Sequence, residues 1–198
     1  MTEPSSAPIG TPEVESPAFS VRRADATDAA ALAAVAAETF PLACPPDTLP
    51  ESIAAFIAAH LSVSSFSAYL DDPERALFLA EADPGSGRTA EAAGYTMIVF
   101  GEPADADAAA AVTTRPTAEL SKVYVRQMFH GAGLARLLVA ASVDEAHRRG
   151  AVSVWLGVNQ ANERANRFYG KQGFDLVGSK RFRLGERYEE DFVRARVL

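Results

Sequence analysis

AELSKVYVRQMFHGAGLARLL, residues 118–138, is the stretch that decides the fold of this chain. An apolar, strand-like run ends near residue 125, a short polar turn follows, and HGAGLA at 130–135 opens an amphipathic helix. The first backbone N–H groups of a helix have no intrahelical partner and carry the positive end of its dipole. Gly131 and Gly133 let the backbone approach an anion without a β-carbon in the way. The order of strand, glycine turn and helix therefore predicts a cradle for a phosphate group.

Other interpretations of the glycine turn compete with this one. A Walker loop ends in Gly-Lys-Ser or Gly-Lys-Thr, and no such ending follows here. A dinucleotide fingerprint needs a third glycine at the position that Arg136 holds. A tight turn without any ligand is compatible with the two glycines taken alone, so the decision depends on the rest of the chain.

A second segment, VSVWLGVNQANERANRFYGKQGF at 152–174, repeats the order of strand and helix. Its first seven residues are uncharged and rich in β-branched and aromatic side chains, which is typical of a buried strand. A helix is predicted from about Asn162 to Lys171, ended near Gly173, with a further strand after it. Together the two segments resemble the acetyl-CoA-binding half of the GNAT-type N-acetyltransferases.

The resemblance covers about residues 118–180 and rests on two motifs. In that family the strand is followed by Gln/Arg-x-x-Gly-x-Gly/Ala, and the second helix carries Asn-x-x-Ala-x-x-Phe-Tyr-x-x-x-Gly-Phe. This chain has HGAGLA at 130–135 and NERANRFYGKQGF at 162–174. His130 departs from the pattern, since Gln or Arg is usual there. The family contact is mainly through backbone N–H groups, so the change affects the expectation little.

The resemblance implies a single α/β domain over residues 18–198. Its mixed, mostly antiparallel sheet should have about seven strands and about four flanking helices, and strands 4 and 5 should splay apart after Val123, Tyr124 and Val125. The pattern along the chain agrees, with the order β-α-α-β-β-β-α-β-α-β-β. Residues 1–17, rich in Pro, Ser and Glu, predict a disordered tail.

Two further segments are predicted to be loops. Residues 41–52 hold four of the twelve prolines of the chain if Pro50 is included, and residues 102–117 have no packing pattern. Between the proline-rich segment and the first sheet hairpin, residues 51–70 predict one or two helices.

Composition excludes several classes of function. The net charge is −7, from 19 basic and 26 acidic residues, which argues against a nucleic-acid partner and is compatible with a cationic substrate. Cys44 is the only cysteine and is followed by Pro-Pro, so we expect neither an internal disulfide nor a cysteine nucleophile. No basic start and no apolar run long enough to span a bilayer are apparent, so no membrane contact is expected and the cytoplasm is the expected compartment. No metal is expected, and a homodimer is left open.

The resemblance also implies the cosubstrate contacts. The backbone of the fourth strand would pair with the pantetheine arm of acetyl-CoA as if the arm were an added strand. The turn would hold the pyrophosphate by backbone N–H groups, and two asparagines would bond the arm from the other side. The residues concerned are Val123, Tyr124, Val125, His130, Gly131, Ala132, Gly133, Leu134, Ala135, Arg136, Asn162 and Asn166.

Amide formation from a thioester sets the catalytic requirements. A primary alkylamine has a pKa of about 10.4, so only roughly one molecule in a thousand is unprotonated at pH 7 and a base helps. Glu119, eleven residues before His130, is the candidate base, because some family members have a glutamate at that spacing; a solvated strand-edge residue is the alternative. Tyr169 is the candidate acid, since the family tyrosine donates a proton to the leaving thiolate.

Further segments narrow the resemblance. AAETF at 36–40, Tyr124, WLGV at 155–158 and FRLGERYEEDFVRARVL at 182–198 resemble the PaiA-type polyamine N-acetyltransferases. The resemblance implies acetyl transfer to a primary amine of a small molecule by direct attack in a ternary complex. Acidic side chains that could bind a cationic amine are Glu38, Asp71 and Asp72.

Two alternatives stay open. One is acetylation of a protein N-terminus, a lysine or an aminoglycoside. The other is a non-catalytic acyl-CoA-binding sensor, against which the intact HGAGLA motif and Tyr169 argue.

Overall fold

The structure is a computed structural model that describes residues 18–83, 90–184 and 187–198. The tail expected over residues 1–17 lies outside the described residues. Within them the chain forms a central sheet with helices on both faces. The strands are β1 (Ala18–Arg23), β2 (Arg75–Asp83), β3 (Glu91–Phe100), β4 (Thr117–Val125), β5 (Ser153–Asn159), β6 (Asp175–Leu184) and β7 (Arg187–Val197). The α-helices are α1 (Ala29–Ala43), α2 (Pro50–His60), α3 (Val63–Asp71), α4 (Ala106–Ala111), α5 (Leu134–Arg148) and α6 (Glu163–Lys171).

The strand order in the sheet is β1-β2-β3-β4-β5-β7-β6. Every neighbouring pair is antiparallel except β4 and β5, which run parallel. The predicted mixed, mostly antiparallel seven-stranded sheet is therefore confirmed. The described residues form six α-helices where about four are predicted. Residues 51–70 form two helices, within the one or two predicted, and α4 is the helix that the sequence does not predict.

The gap between β4 and β5 opens earlier than the sequence predicted. The two strands pair only where Thr117–Glu119 lies beside Ser153–Trp155, so they separate after Glu119 and not after Val125. Beyond that point β3 is the one described strand that pairs with β4, and a bulge interrupts their register at Met97 and Ile98. Because a bulge bends the strand that carries the extra residue, β4 can follow β3 while β5 turns away.

Two hydrophobic layers hold the sheet. One lies under α5 and α6, where Leu138, Val139 and Phe174 are buried against β4 and β5. The other lies under α1 and α3 on the opposite face, where Leu32 and Phe66 pack with side chains of β2 and β3. Because helices cover both faces of the sheet, the sequences of its central strands are nearly continuous runs of apolar residues.

The expected loop over residues 41–52 is wrong at both ends. Helix α1 continues through Pro41 to Ala43, and α2 begins at Pro50. Pro41 removes one backbone donor, which is tolerable near a helix end, and buried Thr39 and Phe40 hold the last turn in place. Phe40 stacks on Phe56 of α2 with ring centroids 4.5 Å apart. Tertiary packing thus overrides the proline signal.

The expected loop over residues 102–117 is also wrong, because it contains α4. Asp105 caps this helix by accepting a hydrogen bond from the Ala108 N–H at 2.9 Å. Ala108 and Val112 are buried against Trp155 and Val193 of the sheet. A six-residue alanine helix is too short to show a periodic pattern, which is why the sequence did not indicate it.

The stretch Pro50–Asp71 qualifies as a membrane span by length and composition alone, with a mean hydropathy of 1.5. The expectation that every apolar run is too short is therefore wrong by that criterion. In the structure the stretch is interrupted, because Ser62 caps a new helix by accepting a hydrogen bond from the Ser65 N–H. The two helices have 11 and 9 residues. At about 1.5 Å per residue neither reaches across a hydrocarbon layer of about 30 Å.

Candidate active site

A cavity of about 390 Å³ opens where β4 has separated from β5. The end of α1, the second half of β4, the start of α5 and the start of α6 enclose it. The residues that line it are Thr39, Leu42, Ala43, Val123, Tyr124, Val125, Phe129, His130, Gly131, Gly133, Leu134, Ala135, Arg136, Asn162, Arg164, Ala165, Phe168 and Tyr169. The structure thus brings together Tyr169 and most of the nominated cosubstrate residues. The nominated residues that do not line the cavity are Ala132, Asn166, Glu119, Glu38, Asp71 and Asp72.

The glycine turn presents free backbone donors to this cavity. Gly131 and Gly133 have φ angles of 87° and 81°, in the left-handed region that other residues adopt only with strain. Apart from the glycine itself and its two chain neighbours, no described residue has an atom within 4 Å of the position of a β-carbon on either. Within the described part of the chain, no acceptor pairs with the N–H groups of Gly131, Gly133, Leu134 or Ala135. Four unpaired donors at the start of a 15-residue helix suit an anionic group.

His130 does more than the sequence indicated. Its Nε2 lies 2.8 Å from the Val125 carbonyl oxygen, and its Nδ1 lies 3.0 Å from Nη1 of Arg164. Since the guanidinium can only donate, Nδ1 accepts and Nε2–H donates to Val125. The imidazole therefore connects the end of β4 to α6 through two hydrogen bonds at the edge of the cavity.

The second half of β4 offers an unpaired strand edge to the cavity. Beyond Glu119 the edge that faces β5 pairs with no strand of the described residues, and Val123, Tyr124 and Val125 line the cavity there. An extended, amide-bearing molecule could pair with such an edge as an added strand. The predicted contact with a pantetheine arm stays a prediction.

Tyr169 projects from α6 into the same cavity. Its ring packs against Phe168 and Phe174 at centroid distances of 5.2 and 6.0 Å. Burial raises the pKa of Tyr169 well above its ordinary value, so the hydroxyl stays protonated at neutral pH. Among the described residues no group is hydrogen-bonded to this hydroxyl. A protonated, unengaged hydroxyl at a cavity wall is able to donate a proton.

The two asparagines have structural partners. Asn162 caps α6, because its Oδ1 accepts a hydrogen bond from the Ala165 N–H at 3.0 Å. Asn166 donates through Nδ2 to the carbonyl oxygens of Asn159 and Asn162, and its Oδ1 accepts from Nε of Arg194. Asn162 still lines the cavity, whereas Asn166 lies behind it and fixes α6 to the sheet. Their expected roles as cosubstrate contacts stay predictions.

Glu119 lies where β4 and β5 are still paired, beside Trp155. It is half-buried, and burial raises its pKa, although the charges of Lys180, Lys122 and Arg75 oppose the rise. A raised pKa makes a carboxylate a better proton acceptor near neutral pH. Its position away from the cavity lining leaves the assignment as base a prediction.

The three acids nominated for amine binding do not line the cavity. Glu38 forms an ion pair with Arg126 at 2.9 Å, and Asp72 accepts from Nε of Arg75 at the same distance. The pKa of Asp72 is lowered, chiefly by the hydrogen bond from the Glu74 backbone N–H. Asp71 is exposed at the end of α3.

Sequence reasoning missed the contribution of α1. Thr39, Leu42 and Ala43 of α1 line the cavity, the last two because the helix continues past Pro41. Cys44 follows directly, and burial is the main cause that raises its pKa to about 11, so its thiol is protonated at neutral pH. Within the described residues no group of three or more His, Cys, Asp or Glu side chains is arranged to hold a metal ion.

A family model and a curated relative both identify acetyltransferases as the proteins that this chain is similar to. The model of the acetyltransferase (GNAT) family matches residues 37–174. An uncharacterized N-acetyltransferase of Mycobacterium tuberculosis is 46% identical over 172 residues, which are 87% of this chain and 99% of that protein.

Solved structures share the fold. The PaiA N-acetyltransferase of Thermoplasma acidophilum, in complex with coenzyme A, has a TM-score of 0.70 at 17% identity, covering 91% of this chain and 99% of that one. NAA60 of Arabidopsis thaliana, in complex with a bisubstrate analogue, has a TM-score of 0.68 at 14% identity over the same shares. At such identities the likeness is one of fold.

Proposed function

The chain belongs to the acetyltransferase (GNAT) family and is an N-acetyltransferase, and we propose that it transfers the acetyl group of acetyl-CoA to a primary amine of a small molecule. The transfer is direct, with both substrates bound at once. The finer proposal is a polyamine acceptor, because several segments of the chain resemble the PaiA type. The proposed compartment is the cytoplasm, where acetyl-CoA is available.

The observation that carries this proposal is the joining of two features in one cavity. The unpaired N–H groups of the glycine turn line one end, and the Tyr169 hydroxyl lines the wall formed by α6. An anion cradle suits the pyrophosphate of coenzyme A, and a protonated phenol suits a leaving thiolate. A sensor that only binds acyl-CoA would have no need of the second feature.

Each residue has a separable task in the proposed reaction. When bound, acetyl-CoA supplies an acetyl group activated as a thioester. The N–H groups of Gly131, Gly133, Leu134 and Ala135 orient the phosphates, and the edge of β4 positions the chain that carries the thioester. Tyr169 donates its proton as the carbon–sulfur bond breaks. Burial keeps that proton in place until then, because it disfavours the tyrosinate.

The amine must lose a proton, and the sequence nominates Glu119 for that step. A carboxylate whose pKa is raised by burial is closer to the ideal of a base matched to neutral pH. The alternative acceptors are a protein N-terminus, a lysine side chain and an aminoglycoside. All of them present the same primary amine chemistry, so the cavity alone does not discriminate between them.

A coupled assay of released coenzyme A thiol tests the proposal. Spermidine, an aminoglycoside and a lysine-containing peptide are compared by kcat/KM at fixed salt. Acetylation of any of them supports the N-acetyltransferase reaction, and a tenfold or greater preference for spermidine supports the polyamine proposal. If the peptide or the aminoglycoside is preferred by tenfold, the polyamine proposal is wrong. Turnover of none of them, with acetyl-CoA still bound, would overturn the small-molecule proposal.

A further inference from the structure

A pair of charged side chains outside the cavity lining, Asp191 and Lys180, lies on the sheet face that carries α1 to α4. On this face β5 presents Trp155 and then Gly157, while β7 presents Asp191 and Val193 beside them. Lys180 of β6 is the direct cross-strand partner of Asp191. This face is opposite the one on which α6 packs, so an amine approaching from here meets the gap between β4 and β5 from the other side.

Gly157 leaves room for two charged groups to converge. A β-carbon built on Gly157 would lie 3.2 Å from Oδ2 of Asp191, 2.7 Å from Cε of Lys180 and 3.6 Å from Nζ of Lys180. The carboxylate and the ammonium therefore both lie over the bare backbone of β5. They form no ion pair, since no nitrogen–oxygen distance between them is within 4.0 Å.

Asp191 is a largely buried carboxylate that forms no hydrogen bond or ion pair with the described residues. Its residue surface is 8% exposed, yet among the described residues no side chain or backbone group is hydrogen-bonded to the carboxylate. Burial raises its pKa to about 6, the Lys180 charge opposes the rise, and Glu189, Glu190 and Asp105 add to it. Such a group would gain from a cation that enters and pairs with it.

Neither Glu119 nor Asp191 lines the cavity, but the position of Asp191 along the sheet favours it over Glu119. Glu119 is level with Trp155 at the closed end of the gap, whereas Asp191 pairs with Asn159, four residues further along β5. At about 3.3 Å per residue, this is about 13 Å of strand toward the open end, where α6 begins. Tyr124, which lines the cavity, has its pKa raised chiefly by burial and further by the nearby Tyr169, Cys44 and Asp191. Asp191 and Tyr169 therefore both lie close enough to Tyr124 to affect its hydroxyl electrostatically.

We propose that Asp191, rather than Glu119, accepts the proton of the acceptor amine, which binds over Gly157 on this face. The inference rests on the proposed N-acetyltransferase function. As the nitrogen forms its bond to the acetyl carbon, it becomes acidic and passes a proton to the Asp191 carboxylate. The carbon–sulfur bond breaks, the thiolate takes the proton of Tyr169, and solvent restores both protonation states. Lys180 is a positioning residue, because its charge keeps Asp191 ionised and its flexible end can move aside for the amine.

The test compares two isosteric variants, D191N and E119Q, with D175N as a matched control. Asp175 is an exposed aspartate at the start of β6. The pH profile of kcat/KM for the best acceptor of the panel should have an acidic limb near pH 6. We expect D191N to lose that limb and at least 10²-fold in kcat/KM, the usual contribution of a general base. D175N should match the wild type, and the affinity of D191N for acetyl-CoA, measured by calorimetry, should be unchanged.

A third variant separates a base from a merely structural carboxylate. Lys180→Met removes the positive charge that lowers the pKa of Asp191, so the acidic limb should move to higher pH. An unmoved limb in this variant, or a limb lost in E119Q and kept in D191N, would overturn the inference.

A binding measurement remains informative whichever amine is turned over. Calorimetry with spermidine as the probe should give at least tenfold weaker binding to D191N than to D175N. Equal binding would overturn the inference and leave the proposed N-acetyltransferase function standing. That function fails separately, if the wild-type protein acetylates no amine of the panel.

Discussion

Replacement of Gly133 by glutamate should remove acetyl-CoA binding without unfolding the protein. Gly133 has φ 81° and ψ 0° at the N-cap of α5, and a β-carbon there meets no protein atom within 4 Å. The cost to stability is therefore that of a left-handed conformation for an L-residue, about 1–2 kcal/mol. For a chain of this size, that lowers Tm by roughly 2–8 °C.

The effect on binding is larger, because the new carboxylate enters the region of the unpaired N–H groups. Two unit charges about 5 Å apart repel by about 3 kcal/mol at an effective dielectric constant of about 20. That corresponds to roughly 200-fold in affinity for each phosphate charge that the carboxylate faces. Binding of acetyl-CoA should then be undetectable at micromolar concentrations.

Gly150→Glu is the matched control. Gly150 follows α5, has φ 86°, and also has no atom within 4 Å of a β-carbon position. The two variants carry similar backbone strain and the same added charge, but only one alters the cavity. Calorimetric titration with acetyl-CoA, beside thermal unfolding of both, separates the two effects. Wild-type affinity in Gly133→Glu, or equal losses in both variants, would refute the anion cradle.

Three further predictions follow from the contacts. Tyr169→Phe should keep acetyl-CoA affinity and lower kcat by roughly 10²-fold, measured by steady-state kinetics, since only the acid is removed; unchanged kcat would return Tyr169 to a packing role. Gly178→Ala should lower the free energy of unfolding, measured in urea, by about 1–3 kcal/mol, because the new β-carbon would lie 2.6 Å from Cβ of Ala111. Gly170→Ala in α6 is the control, since a β-carbon there has no neighbouring atom within 4 Å among the described residues, and it should be neutral or stabilising. Burial lowers the pKa of Lys122 to about 8, so between about pH 8 and 10.5 the folded state binds fewer protons than the unfolded state and the free energy of unfolding rises with pH. The variant Lys122→Met should therefore be more stable than the wild type at pH 7 and show a smaller rise in that range. An identical pH dependence of urea unfolding in the two proteins would contradict the lowered pKa.

The sequence predicts the parts of the fold that depend on long, regular patterns. The strand runs at 120–125 and 152–158 and the helix after Gly133 appear in the structure as β4, β5 and α5. Most of the expected cosubstrate residues converge on one cavity, because the strand–turn–helix order fixes where a helix starts relative to the sheet edge. The glycine turn therefore predicts both the start of α5 and one end of the cavity.

The errors arise where packing outweighs local preference. Pro41 indicates a helix end, yet Phe40 stacks on Phe56 and the helix continues for one more turn, which carries Leu42 and Ala43 into the cavity wall. Helix α4 is hidden for the opposite reason, since its alanines give no amphipathic pattern and its stability comes from contact with Trp155. Neither contact can be inferred from neighbours in sequence.

Side-chain partners are the least predictable feature of the site. His130 was expected to act through its backbone, but the distances to Val125 and Arg164 give its ring a bridging role. The sequence does not indicate a role for Asp191, because the residue stands in a charged run, Glu189-Glu190-Asp191, that is typical of a solvated strand. Strand alternation turns it inward, and only the register of β5, β6 and β7 reveals that it lies over Gly157.

The charges around the site bear on how a cationic amine would be recognised. Glu38 and Asp72 are already paired with arginines, so attracting a polyamine through them would require breaking those pairs. Lys122 and Lys180 add positive charge on the same face as Glu119 and Asp191. A long-range field that favours polycations is therefore weak here, and salt would screen what remains of it. A buried carboxylate is screened less, so recognition should depend on one ammonium group held at short range over Gly157. A preference for a polyamine would then depend on whether its second ammonium group can bind without electrostatic repulsion from Lys122 and Lys180.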